Sequence, residues 1–206
     1  MKAVQINAYG GSEVLEINQN VPEPELQKDS LLVSVRAVSI NPFDIWLVSG
    51  EARDRIPLSF PVTVGGNFSG VVTQTGEEVY GDALVLTGGS GAFAEIATVR
   101  QTSVARKPSL VGFPEAAALP LVGSSAVQAL EEHMKLTKGQ KILIHGGAGG
   151  IGHIAIQLAK FLGAYVATTV STNAKKFVKR LGADLIIDYN SEKFEEIIHD
   201  YDAVFD

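Results

Sequence analysis

The chain has no cysteine. Disulfides, thiolate zinc sites and a cysteine nucleophile are therefore excluded. Positive charge is also scarce: 17 Lys and Arg against 23 Asp and Glu leave a net charge of −6. With no basic stripe to neutralise phosphates, nucleic acid is not an expected partner. The one local cluster of bases, Lys175, Lys176, Lys179 and Arg180, reads as one face of a helix. Long apolar runs are missing as well. The least polar stretch, 116–130, contains Pro120 and Ser124-Ser125 and is too short to span a membrane. The opening, 1–7, alternates like a strand and lacks the apolar run of a signal peptide. A cytoplasmic protein without membrane contact is the expectation.

What is present describes a globular α/β chain. Hydrophobic residues make up 46% and charged residues 19% of 206 residues, enough for one large domain or two small ones. In the first hundred or so residues, strand-like runs follow one another between glycine turns. Residues 31–40 alternate apolar with small or polar side chains until Asn41-Pro42 breaks the run. Pro42 and Asp44 then suit the first turn of a short helix ending at Gly50. Further runs at 61–75, 78–86 and 93–99 suggest a β-rich, barrel-like unit. From Pro114 the grammar changes. Helices at 114–119 and 122–132 lead into strict alternation: strand 141–145, helix 151–162, strand 165–170, helix 173–181, strand 184–187, helix 192–199 and strand 203–205. Such alternation predicts right-handed βαβ units on a parallel sheet. The expected domains are 1–115, β-rich, and 116–206, the first half of a doubly wound sheet.

The most informative stretch joins the first of these strands to its helix. Gly147, Gly149 and Gly152 form G-x-G-x-x-G, with Ala148, Gly150 and Ile151 in the intervening positions. Glycine serves three needs there: a tight turn, a backbone close enough to touch a pyrophosphate, and close helix–strand packing. The helix that follows carries Ile151, Ala155, Leu158 and Leu162 on one stripe, which would fix its N-terminus against the sheet. A glycine turn with no ligand is the bland alternative. About 20 residues past such a motif, NAD-preferring domains place an acid. Residues 167–173 contain no Asp or Glu, which leaves room for a 2′-phosphate and so for NADP(H).

These residues carry a resemblance. The run 138–152, continued by 154–160, resembles the medium-chain dehydrogenases/reductases, and within them the quinone oxidoreductase (zeta-crystallin) branch. The likeness extends to Val38-Ser39-Ile40-Asn41-Pro42-Phe43-Asp44, Ala116-Ala117-Ala118-Leu119-Pro120, Leu181-Gly182-Ala183-Asp184 and Asp188-Tyr189. It implies a GroES-like catalytic domain followed by a partial Rossmann domain, with the return to the catalytic domain missing. It also implies hydride transfer from NADPH to a quinone or enone, and a homodimer in the complete protein. Zinc-dependent relatives carry Gly-His-Glu where this chain has Gly65-Gly66-Asn67. With cysteine absent too, the zinc-free branch is implied and no metal ligand is expected.

The resemblance also implies roles for single residues. Asn41 matches a residue whose amide faces the acceptor oxygen; as a cap or turn residue it would be merely structural. Trp46 falls where relatives often place an aromatic wall, core packing being the alternative. Ser125 matches a hydroxyl near the cofactor, or else serves helix packing. Ser171, Lys175 and Tyr189 match residues near the 2′-phosphate, against a plain cap for Ser171 and a solvated Lys175. Asp44 reads as a first-turn helix residue and the four histidines as structural. A non-catalytic NADP(H)-binding protein of the same fold is the rival reading. Relatives carry a longer turn at 75–81, so residues are expected to be missing between Gly76 and Glu77, as well as beyond Asp206.

Overall fold

The computed structural model describes residues 1–206, which divide into two compact units, Met1–Leu121 and Val122–Asp206. The first unit is built on β1 (Ala3–Ile6), β2 (Glu16–Asn18), β3 (Ser30–Val38), α1 (Pro42–Ser49), β4 (Val62–Thr63), β5 (Asn67–Val72), β6 (Glu78–Asp82), β7 (Ile96–Arg100), β8 (Val104–Arg106) and α2 (Phe113–Ala117). Five strands form an antiparallel sheet in the order β7-β3-β5-β6-β8, and β2-β1-β4 form a second sheet. Val33, Phe68, Val72, Val79 and Val99 alternate inward from the larger sheet and are buried together.

The run expected at 61–75 is two strands in two sheets. Gly65 separates them with φ +89°, and a Cβ there would overlap the Phe93 ring. That position needs glycine. The run at 78–86 stops early because Asp82 Oδ1 accepts the Leu84 N–H at 2.9 Å and turns the chain into a 3-10 turn. At Gly76-Glu77, where residues are expected to be missing, the chain as given closes a hairpin. The Gly76 N–H donates to the Val72 carbonyl at 2.8 Å, and the Val72 N–H donates to the Glu77 carbonyl at 2.9 Å. Gly76 supplies the positive φ, +74°, so five residues suffice to reverse the chain.

The second unit continues α3 (Pro120–Val127), which ends in a π turn over Gln128–His133. It then adds β9 (Lys141–Ile144), α4 (Gly150–Phe161), β10 (Tyr165–Val170), α5 (Lys175–Arg180), β11 (Leu185–Asp188), α6 (Phe194–Ile197) and β12 (Ala203–Phe205). All four strands are parallel, in the order β11-β10-β9-β12. The chain therefore steps outward from β9 on one side and returns to its other side with β12. The order reverses there, beside the C-terminal end of β9, where open α/β sheets bind ligands.

Two helices differ from their sequence patterns. The stripe on α4 is rotated: Gly152, Ala155, Ile156 and Ala159 are fully buried, while Ile151, Leu158 and Leu162 pack at the margins. The small residues let the helix lie close on the sheet, and the larger ones seal its edges. The helix expected at 192–199 shrinks to Phe194–Ile197. Glu192 is held in the turn after β11, where its backbone N–H donates to the Asp188 carbonyl at 2.8 Å. No helix of the chain is long and apolar enough to cross a membrane.

Candidate functional site

The loop between β9 and α4 is braced from below by the neighbouring strand. Thr168 of β10, fully buried, donates its hydroxyl to the Ile144 carbonyl at 2.7 Å. Next to it, Thr169 Oγ1 accepts the Gly146 N–H at 3.3 Å and lies 2.9 Å from His145 Nδ1. The Gly147 N–H donates to the Thr169 carbonyl at 3.1 Å. A Cβ on Gly147 would collide with the Thr168 hydroxyl, and one on Gly152 with the Gly146 carbonyl. Both glycines are buried by this packing.

The rest of the loop is open. Ala148, Gly149 and Gly150 are exposed, and a Cβ on Gly150 would meet only Val122, at 3.4 Å. Gly149 is the N-cap of α4 and makes no side-chain cap, so Gly150, Ile151 and Gly152 contribute first-turn N–H groups without partners inside the helix. His153 closes the turn, with Nδ1 2.9 Å from the Gly149 carbonyl. Exposed glycine backbone at the positive end of a twelve-residue helix fits a pyrophosphate, and the buried glycines fit the close packing behind it. The residues present thus match a dinucleotide.

The edge beyond β10 and β11 completes the cradle. Ser171 follows β10 and starts a 3-10 turn without capping it through its side chain. Tyr189 follows β11; its N–H donates to the Val170 carbonyl at 3.2 Å and its ring is exposed. Lys175 begins α5, with Nζ 3.5 Å from both Asp188 Oδ2 and Glu192 Oε2. Ser171, Lys175 and Tyr189 therefore gather at one sheet edge. Asp188 ends β11 with a buried carboxylate, and a hydrogen bond with the Thr172 side chain is the main cause holding its pKa below the ordinary aspartate value. Bonds from Asn190 and the charge of Lys175 act in the same direction, while burial opposes them.

In the first unit, Asn41 is the N-cap of α1. Its backbone N–H donates to Asp44 Oδ2 at 2.7 Å, and the Asp44 N–H returns to the Asn41 carbonyl at 2.9 Å. The Asn41 Nδ2 donates to Asn67 Oδ1 at 3.0 Å and to Ser39 Oγ at 3.3 Å. Asn67 also accepts the Leu121 N–H at 3.3 Å. Asp44 is buried, and burial raises its pKa against the lowering effect of the Asn41 and Gly66 N–H groups. Trp46 is half-buried on α1 against Phe43, their ring centroids 5.7 Å apart. In the second unit Ser125 is half-buried on α3. No three His, Asp or Glu side chains are gathered as a metal site.

Sequence reasoning missed Thr168, Thr169, Asp188 and Glu192 as parts of this arrangement. Two adjacent threonines inside the buried part of an otherwise apolar strand were the available signal. For Asp188 and Glu192 there was none, since their partner comes from another helix.

Comparison with known proteins agrees with the geometry. A family model described as alcohol dehydrogenase GroES-like domain matches residues 27–109, and one described as zinc-binding dehydrogenase matches 150–206. The NADPH-dependent alkenal/one oxidoreductase, chloroplastic, of Arabidopsis thaliana is 36% identical over all of this chain and 57% of its own length. The chloroplast envelope quinone oxidoreductase homolog of the same plant is 33% identical over 97% of the chain and 68% of its own length. The solved quinone oxidoreductase of Coxiella burnetii superposes with a TM-score of 0.87 at 34% identity, covering all of this chain and 68% of that one. The chain spans little more than half the length of the first of these relatives. The alignment with it runs over 221 positions against 206 residues here, so the relative carries residues without a counterpart.

Proposed function

The chain belongs to the medium-chain dehydrogenases/reductases, in their quinone-oxidoreductase branch, and from that premise we propose that the complete protein uses NADPH to reduce a quinone or conjugated enone without a metal ion. The observation that carries this reading is the cradle after β9: exposed backbone at Ala148, Gly149 and Gly150, buried Gly147 and Gly152, and a following sheet edge where Ser171, Lys175 and Tyr189 gather. The Arabidopsis relative whose name states NADPH dependence supports the choice of coenzyme.

In this reading the N–H groups of Gly150, Ile151 and Gly152 hold the pyrophosphate at the positive end of α4. Ser171 donates a hydrogen bond to the 2′-phosphate, Lys175 supplies a positive charge, and Tyr189 covers the adenosine edge. Ser125 contributes its hydroxyl near the bound coenzyme. The nicotinamide supplies the hydride. Asn41 is assigned to the acceptor oxygen, where an amide N–H stabilises charge as it develops. To do so it must give up its bond to Asn67 or to Ser39, both within reach of the same Nδ2. Trp46, half-buried beside Phe43, is assigned as an apolar wall.

The test is absorbance at the NADPH band with the full-length protein and a panel of 1,4-naphthoquinone, an α,β-unsaturated ketone and a saturated aldehyde. Turnover with the quinone or enone, insensitive to a chelator, is expected. Coenzyme binding with no consumption on any acceptor would instead identify a binding protein that has kept the fold without the reaction.

A further inference from the structure

Lys175 is not a solitary cation. Its Nζ lies 3.5 Å from Asp188 Oδ2 and 3.5 Å from Glu192 Oε2, so one positive charge is shared between two carboxylates. The two acids are differently placed. Asp188 is sealed into the end of β11, its side chain only 3% exposed, and Oδ1 is tied to the Asn190 backbone N–H at 3.1 Å and to Asn190 Nδ2 at 3.2 Å. Glu192 is 39% exposed, as Lys175 is at 40%. Its Oε2 has a second duty, accepting the Asp188 backbone N–H at 2.8 Å. That bond captures Glu192 in the turn that also sets the start of the Tyr189 loop.

We propose that Glu192 is a specificity-determining residue, which holds Lys175 in an ion pair that a 2′-phosphate must weaken, and so sets the ratio of NADPH to NADH affinity. The inference rests on the reading above, in which Lys175 faces the 2′-phosphate. Its physical basis is competition for one cation. A 2′-hydroxyl asks little of Lys175 and leaves the pair with Glu192 intact. A 2′-phosphate brings about two negative charges to a place where Glu192 already contributes one. Asp188 cannot yield, because its carboxylate is buried among its other partners. Glu192, the more exposed of the two acids, is the partner whose hold on Lys175 the phosphate can outweigh.

The experiment is isothermal titration of NADPH and NADH into the full-length protein and three variants: Glu192→Gln, Lys175→Met and the double substitution. Glutamine keeps an oxygen for the Asp188 N–H while removing the charge, and unchanged thermal unfolding would confirm that the turn is kept. Glu192→Gln should tighten NADPH about fivefold, the upper end for a partly exposed ion pair, and change NADH by less than about twofold. With methionine at 175 that gain should vanish. An unaltered NADPH affinity, equal changes for both coenzymes, or a gain that persists with methionine at 175 would each overturn the inference. Failure of the parent reading looks different: the unsubstituted protein would prefer NADH. The shift in ratio produced by Glu192→Gln is read against that starting value in either case.

Discussion

Gly147 and Gly150 stand three residues apart in the same loop, yet they face opposite constraints. A methyl group on Gly147 lands on the hydroxyl of Thr168, which is itself bonded to the Ile144 carbonyl. A methyl group on Gly150 meets one Val122 carbon at ordinary contact distance. Gly147→Ala should therefore cost about 1–3 kcal/mol in urea unfolding, as overpacking does. Gly150→Ala should stay within about 0.5 kcal/mol of the parent while weakening coenzyme binding, because its methyl faces the open side of the loop. Equal losses of stability would mean that the two glycines are not divided between packing and ligand. Lys175 allows a charge test at the same scale. Lys175→Met should raise the Michaelis constant for NADPH about tenfold and leave that for NADH within about twofold. Parallel changes for both coenzymes would show that Lys175 does not face the 2′-phosphate. Lys175→Glu would be harsher, since it would gather three carboxylates where Asp188 and Glu192 already stand.

Among the elements, β10 does more than fill the sheet. Thr168 binds the last carbonyl of β9, and Thr169 binds His145 and Gly146 of the following loop through its hydroxyl and Gly147 through its carbonyl. Thr168→Val keeps the shape and removes a buried hydroxyl, leaving the Ile144 carbonyl without that donor. A loss of about 1–2 kcal/mol is expected in denaturant unfolding, and stability equal to the parent would show that the brace is dispensable. The strand was legible in the sequence to the residue, because a run of apolar and β-branched residues between Gly163-Ala164 and Ser171 admits little else. Its bracing role was not, since Thr168 finds its partner 24 residues away. The same contrast explains 192–199. Glu192 looks like the start of a helix, but its carboxylate is spent on the Asp188 N–H of the preceding turn. At Gly76 a left-handed glycine closes the turn of the chain as given. Asn41 reads correctly as a cap from its own neighbours, Pro42 and Asp44. Its bond to Asn67 could only come from the fold.

For the molecule as a whole, two buried aspartates act in opposite directions on the pH dependence of stability. The folded pKa of Asp188 is lowered, so the folded state binds its proton less tightly than the unfolded chain does. That contribution is present above the ordinary aspartate pKa of about 4 and is lost as the pH falls from there through the lower folded value. The folded pKa of Asp44 is raised by burial, so its contribution is present at low pH and is lost as the pH rises through the folded value. Thermal unfolding of Asp44→Asn against the parent between about pH 3 and pH 7 separates the two. The variant should gain on the parent as the pH rises; a difference that is constant, or that shrinks, would contradict the assignment.

The two units are a GroES-like domain and a Rossmann half-sheet, and the reaction we propose for the complete protein is hydride delivery from NADPH to a conjugated carbonyl. Its most direct test is mass spectrometry of the product formed from an α,β-unsaturated ketone by the full-length protein with NADPH carrying deuterium at both C4 positions of the nicotinamide. The account predicts a saturated ketone with one deuterium on the β carbon, formed faster from NADPH than from NADH. A product without deuterium, or none at all while NADPH is bound, would contradict it.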